Sequence, residues 1–345
     1  MKITVILCTY NRCQSLVNTL EDVAASKLED SVEWEVLVVD NNSKDRTREV
    51  VAEISRRYPG RFRYLFEPQQ GKSYALNTGV REARGHVLAF VDDDVAVEPT
   101  WLQNLTAPLD GGKWAGAGGR TLLPGAFSPP EWMTMEGRDS QGDVLAALFD
   151  IGPEPCELNR PPYGTNMAFR REMFEKHGLF RTDLGPQPGS EIRSEDTEFG
   201  RRLMAAGEKL RYEPSAIAYH PVHENRMQKS FFLRWHFDFG RAMVREWGFG
   251  PDILGISRRG FTLFKFVATI LPFATLRWVV TLNPRRRFFH KCWVWATAGQ
   301  IVEIHRQWQN ARERSRSGQG EAAAPKLTVA PRDFTPSRRE GRLEI

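Results

Sequence analysis

The first 94 residues alternate short apolar runs with amphipathic runs, and nothing else in the chain restricts its fold as much. Residues 3–7, 34–39, 62–66 and 86–91 read as strands. Residues 13–25, 47–58 and 73–83 between them read as helices, the first with Leu16, Leu20 and Ala24 on one face. Pro59-Gly60 and Gly85 stop the second and third helices. Strand–helix alternation of this kind makes a mostly parallel α/β sheet flanked by helices. In such sheets ligands bind beyond the carboxyl ends of the strands. Asp40 closes the second strand and Asp92-Asp93-Asp94 follow the fourth, so spacing alone puts carboxylates at the ligand-binding edge.

Three consecutive aspartates after Val-Leu-Ala-Phe-Val are not core residues, because isolated buried carboxylates are very costly. Like charges so close need a counter-charge, and a divalent cation with a preference for hard oxygen ligands, Mg²⁺ or Mn²⁺, supplies one. Asp92 and Asp94 face the same way in an extended segment, which leaves Asp93 on the other side. Lys72 and Asn77 lie near a helix start, where an ammonium and backbone N–H groups both favour phosphate. Gly71-Lys72-Ser73 lacks the earlier glycine of a phosphate-binding P-loop, so the sequence argues against phosphoryl transfer by that route.

Six segments carry a resemblance. They are Val5-Ile-Leu-Cys-Thr-Tyr-Asn-Arg12, Val38-Val-Asp-Asn-Asn-Ser-Lys-Asp45, Gly71-Lys-Ser-Tyr-Ala-Leu-Asn-Thr-Gly79, Phe90-Val-Asp-Asp-Asp94, Gly164-Thr-Asn-Met-Ala-Phe-Arg170 and Ser194-Glu-Asp-Thr-Glu198. In this order and spacing they resemble family 2 glycosyltransferases of the GT-A fold, over roughly residues 2–240. The resemblance implies a nucleoside-diphosphate-sugar donor, a Mn²⁺ or Mg²⁺ cofactor, and transfer to an acceptor hydroxyl with inversion, in polysaccharide or glycolipid synthesis. It assigns Thr9, Tyr10, Asn11, Arg12 and Asp40 to the base and ribose pocket. It assigns Lys72, Asn77, Asp92 and Asp93 to the donor, and Asp92, Asp94 and His220 to the metal, with His223 a near alternative. Of the acidic pair Glu195-Asp196, it makes Asp196 the general base, taking the proton from the acceptor hydroxyl. Gly164, Thr165 and Asn166 then form a floor on the acceptor side. The intact Asp92, Asp94 and Glu195-Asp196 argue against the alternative of an inactive sugar-nucleotide-binding protein.

The remainder divides the chain. Residues 1–225 form the expected catalytic domain, 226–311 a helical extension, and 312–345 a charged tail rich in small residues, predicted disordered. Residues 114–157 carry frequent Gly and Pro and read as loops over a cleft. Ser194 is placed to cap a helix over 195–206. Residues 226–247 and 288–304 read as helices, and 261–282 is strongly apolar but interrupted by Lys265, Pro272 and Arg277. Arg258-Arg259 and Arg285-Arg286-Arg287 flank that stretch on both sides, which favours an in-plane or re-entrant amphipathic element with peripheral membrane contact over a spanning helix or a helical cap on the soluble core. Net charge is only +5, but these late basic clusters carry it, and they are not interleaved with aromatics as a nucleic-acid platform would be. The four cysteines form no CxxC pair and the N-terminus opens directly as a strand. Both features predict a reduced, cytoplasmic protein without a secretory signal, at the inner face of the membrane and facing a glycan or lipid-linked acceptor.

Overall fold

The computed structural model describes residues 1–137, 139–190, 192–249 and 258–316. Its first quarter is the expected alternation: β1 (Lys2–Thr9), α1 (Cys13–Ala24), β2 (Glu33–Asp40), α2 (Thr47–Arg57), β3 (Phe62–Phe66), α3 (Lys72–Glu82) and β4 (Val87–Asp92). There follow β5 (Ala96–Val97), α4 (Trp101–Thr106), β6 (Gly116–Leu122), α5 (Gly142–Ala146), β7 (Cys156–Glu157), β8 (Asn166–Arg170), α6 (Arg171–His177), α7 (Glu195–Ala205) and β9 (Leu210–Tyr219). All nine strands join one sheet in the order β3-β2-β1-β4-β8-β6-β9-β5, with β7 paired to β9. Strands β1 to β4 are mutually parallel, and β8 is the antiparallel insertion between β4 and β6.

Alternation along β1 explains the layering. Ile3, Val5 and Leu7 face one side, where they pack with Leu16, Leu20 and Val23 of α1. Ile6 faces the other, with Ala75, Leu76 and Val80 of α3 and an aromatic group of Phe90, Phe169, Phe174, Phe180 and Phe199. Both faces of the parallel strands are therefore buried, which is why these strands read as continuous apolar runs.

Strand register sets the site. Thr9 lies opposite Asp40, and Cys8 opposite Asp92. Asn166 opens β8 opposite Val91, and His220 directly follows the end of β9. One edge of the sheet thus collects residues from across the sequence.

The C-terminal helices depart from expectation in their bounds. A 3₁₀ turn at Glu224–Met227 precedes α8 (Lys229–Trp247), with Gln228 extended between them. The apolar stretch is α9 (Arg258–Lys265), one π-turn (Phe266–Ile270) and α10 (Leu271–Val280). Pro272 accounts for the π-turn: a proline has no N–H to donate and crowds the carbonyl four residues back, and a widened turn relieves both. Helix α11 (Pro284–Arg316) runs past residue 311, so the first five residues of the expected tail are helical, while 317–345 lie outside the described residues. Helices α8 and α11 touch backbone to backbone. A Cβ on Gly240 would stand 1.9 Å from the Ala296 carbonyl oxygen, and one on Gly299 would stand 1.9 Å from that of Phe237.

Candidate active site

The loops beyond β1 and β2 hold each other. Asn11, in the left-handed region that asparagine tolerates, donates its N–H to Ser43 Oγ (2.9 Å) and accepts the Lys44 N–H on Oδ1 (2.7 Å). Asp45 Oδ2 accepts the Cys13 N–H (2.9 Å) at the start of α1, while its Oδ1 accepts the Thr47 N–H (3.1 Å) at the start of α2. Asp40 is buried, accepting the Ser43 N–H (2.8 Å) and the Tyr64 hydroxyl (2.8 Å). Thr9 is buried beside it, and Tyr10 is 43% exposed at the rim. Tyr64 was not anticipated. Its signal was available, because it stands two residues before the partner of Asp40 on the neighbouring strand and so on the same face.

Beyond β4, the three aspartates divide as alternation predicts. Asp92 and Asp94 join His220, and one ligand atom from each lies within 4.8 Å of the others. Asp93 turns aside and pairs with Arg12 Nη1 (3.0 Å), which also reaches Asp94 Oδ2 (2.6 Å). His223 Nε2 bonds the same Asp94 Oδ2 at 2.9 Å. All the close partners of Asp94 therefore meet Oδ2. Its buried Oδ1 has no hydrogen-bond partner, and His220 Nε2 stands 3.8 Å from it. His220 Nδ1 lies 2.8 Å from the Pro221 carbonyl, which can only accept, so that nitrogen carries the proton and Nε2 offers a lone pair. Burial pushes the His220 pKa down and keeps the ring neutral. An orphaned buried oxygen beside a free imidazole nitrogen and a second carboxylate is a fitting donor set for Mn²⁺ or Mg²⁺.

Burial alone would raise the Asp94 carboxyl, but the His223 hydrogen bond and the Arg12 charge hold it far below the ordinary carboxylate range. For Asp93 burial wins over Arg12, and its pKa is pushed up to about 6. Arg226, half-buried, adds positive charge near Asp94 while donating to the Leu145 carbonyl of α5 (3.1 Å). It is a second residue that sequence reasoning did not single out.

Lys72, the first residue of α3, joins this group to the next. Its Nζ is 2.6 Å from Asp92 Oδ1 and 4.0 Å from Glu195 Oε1. Burial disfavours its charge, but Asp92 and Glu195 overcome that and raise its pKa, so the ammonium persists. Glu195 is 3% exposed, and burial together with the neighbouring Asp196 raises its pKa. Asp196 is only half-buried. Its Oδ2 accepts the Gly164 N–H (2.6 Å) and its Oδ1 the Thr197 N–H (2.7 Å), which fixes the carboxylate plane while each oxygen keeps a lone pair. A Cβ on residue 164 would stand 3.0 Å from Asp196 Oδ2, so glycine is what lets the backbone come this close. Ser194 makes no side-chain cap to α7. It sits instead in the left-handed region at φ 85°, a strained position that turns the chain sharply into the acidic pair.

Two expected contacts are corrected by the geometry. Asn77 lies inside α3, not beside its first turn, and its amide is spent on the Phe180 backbone, donating to the carbonyl (2.9 Å) and accepting the N–H (2.9 Å). Asn166 accepts the Trp101 indole N–H (2.8 Å) and donates to the Arg120 and Ala216 carbonyls (3.1 and 2.9 Å). Both amides are buried structural clamps, and Thr165 is buried with no hydrogen-bond partner for its Oγ1, so of the expected acceptor floor it is Gly164 that contacts Asp196. A cavity of about 540 Å³ lies at the opposite edge of the sheet, lined by Lys113, Arg170, Glu172, Lys176 and Glu208, and holds none of these residues.

The family model described as glycosyl transferase family 2 matches residues 4–178, half of the chain. The chain belongs to glycosyltransferase family 2. Among curated relatives of this family, it is 28% identical over 239 residues to the glucosyl-dolichyl phosphate glucuronosyltransferase of Haloferax volcanii, covering 66% of this chain and 72% of that one. It is also 28% identical to the succinoglycan biosynthesis protein ExoM of Rhizobium meliloti, covering 71% and 75% of the two chains. The mannosyltransferase PcManGT of Pyrobaculum calidifontis, solved with GDP-Man and Mn²⁺, superposes with a TM-score of 0.58 at 19% identity, over 87% of this chain and 86% of that one. The fold is the GT-A fold, and this family 2 protein is a glycosyltransferase.

Proposed function

We propose that the protein transfers a sugar, with inversion, from a nucleoside-diphosphate sugar to a hydroxyl of a glycan or lipid-linked acceptor in cell-envelope glycan synthesis. The observation that carries this reading is Lys72, whose single ammonium contacts Asp92 of the Asp92–Asp94–His220 group and faces Glu195, the neighbour of Asp196. A donor diphosphate and an acceptor hydroxyl are thereby brought against one another. Residues 1–225 are the catalytic domain in this reading, 226–311 a helical extension and 312–345 a tail. Work takes place at the cytoplasmic face of the membrane, with peripheral contact through the extension.

Thr9, Tyr10, Arg12 and Asp40 would line the nucleoside pocket, and Asn11 would hold its loop. Asp92, Asp94 and His220 would hold Mn²⁺ or Mg²⁺, which when bound neutralises charge on the departing diphosphate. Lys72 adds a fixed positive charge beside it. Asp196 Oδ, fixed by the Gly164 and Thr197 N–H groups, accepts the proton of the acceptor hydroxyl as its oxygen attacks the anomeric carbon. Glu195, buried against Lys72, holds that lysine in place. One base on the acceptor side and a leaving diphosphate opposite it give a single displacement. The product of an α-linked donor is therefore expected to be β-linked, as read from the anomeric coupling of the glycoside by NMR. An α-linked product would overturn the inverting assignment.

A further inference from the structure

Helices α9 and α10 with their π-turn form an apolar rod, Arg258–Val280, within which an 18-residue stretch reaches a mean hydropathy of 1.6 with none of that stretch buried. Phe261, Phe264, Val267, Ile270, Phe273, Leu276, Val279 and Val280 are each at least about one-third exposed, and Leu282 at the hairpin tip is 94% exposed. Soluble proteins rarely leave so large a contiguous apolar face uncovered. Charge along this stretch of sequence is of one sign, with Asp139 from outside it pairing with Arg286 (3.2 Å). From Arg258 to Val302 the chain has eight Lys or Arg (Arg258, Arg259, Lys265, Arg277, Arg285, Arg286, Arg287 and Lys291) and no Asp or Glu. Lys291 lies over the rings of both Trp278 on α10 and Trp295 on α11, at 5.4 and 5.3 Å, so an amphipathic aromatic pair sits where the rod meets the body.

We infer that this face docks in the plane of an anionic lipid leaflet. The inference deepens the membrane contact proposed above and does not depend on the transfer chemistry. By length the rod could cross a bilayer. Its surroundings argue otherwise. Lys265 and Arg277 are exposed within it, and basic clusters stand at both ends, whereas crossing segments bias their charge to one flank. The inner side of the rod (Thr262, Phe266, Ala274 and Trp278 among its less exposed residues) turns toward α11, not lipid. Helix α11 in turn is bound into the polar body, where buried Glu303 pairs with Arg245 (2.9 Å) and Arg241 (3.4 Å) of α8. An apolar face with cations at its margins and aromatic anchors is the composition that seats a helix at the headgroup boundary. Placed so, the rod holds the catalytic body at a fixed attitude to the leaflet, within reach of a lipid-linked acceptor.

The test is co-sedimentation of the detergent-free, full-length protein with preformed vesicles of phosphatidylcholine alone and of phosphatidylcholine mixed with phosphatidylglycerol. We expect binding to the mixed vesicles, about tenfold weaker binding to neutral ones, and release by salt. The double variant Phe264→Glu, Phe273→Glu, altered only at exposed side chains, is expected to lose about tenfold in vesicle affinity. Its Tm and its nucleoside-diphosphate binding should match the wild type, which separates failure of docking from failure of the donor site. Equal binding to both vesicles, no binding to either, or an unaffected variant would overturn the inference. So would a protein that needs detergent and resists alkaline extraction, which would mean a spanning rod. A variant that turns a dimer into a monomer without changing vesicle binding would mean that a second copy covers the face.

Discussion

Asp196→Asn should lower transfer about a thousandfold while leaving the fold, the metal and the donor bound as before. The expected size is that of a positioned general base, about 10²- to 10⁴-fold. The variant removes the base at the cost of one backbone hydrogen bond. An amide oxygen can still accept the Gly164 N–H that Asp196 Oδ2 accepts at 2.6 Å, but the amide nitrogen then meets the Thr197 N–H that Oδ1 accepts at 2.7 Å. Single-turnover kinetics with saturating donor separates this from weaker binding, because the loss should fall on kcat and not on KM. Glu195→Gln is the informative control. Glu195 is 3% exposed and faces Lys72, so it has no open path to an acceptor hydroxyl. If Glu195→Gln abolished transfer with donor binding intact, and Asp196→Asn did not, the two roles would have to be exchanged.

Asp94→Ala should remove the metal dependence of donor binding, lowering nucleoside-diphosphate affinity in Mn²⁺ by at least about 100-fold, or about 2.7 kcal/mol. Three effects add. The orphaned Oδ1 is lost as a ligand, and Oδ2 no longer anchors Arg12 and His223. The Arg12 guanidinium, released from that oxygen, would then repel the metal from Asp92 and His220. Asp94→Asn keeps the acceptor for Arg12 and His223 but carries no charge, so its affinity should fall between the wild type and the alanine variant. Calorimetric titration with and without Mn²⁺ measures both. An alanine variant that kept a Mn²⁺-dependent affinity would move the metal away from this oxygen.

Much of this was legible in the sequence because the parallel half of the sheet is buried on both faces, and burial writes itself as unbroken apolar runs ending in aspartate. The second half was not. β6, Gly116-Ala-Gly-Gly-Arg-Thr-Leu122, has no β-branched pattern, and it is a strand because Phe169 and Pro162 fill the space its side chains would need. Asn77 and Asn166 read as ligand-binding amides, since a sequence does not say where an amide points. Only the fold reveals that the Phe180, Trp101, Arg120 and Ala216 backbone or ring groups already occupy them. Arg12 goes to the nucleoside pocket only by family resemblance, while its pairing with Asp93 and Asp94 spans 81 and 82 residues and leaves no local trace. The strain at Ser194 was hidden for a related reason: serine before an acidic turn is the ordinary signature of a cap, and here the backbone, not the hydroxyl, does the positioning.

Asp92, Asp94 and His220 together would make a metal-dependent nucleoside-diphosphate site. Its most direct test is a calorimetric or thermal-shift titration of the wild-type protein with UDP, GDP, ADP, CDP and dTDP, each with and without Mn²⁺. A ligand that binds only the native state raises Tm with the logarithm of its concentration above Kd. A clear shift is expected with one nucleotide, and it should disappear when Mn²⁺ is withheld. Equal shifts with and without the metal, or no shift with any nucleotide, would contradict it.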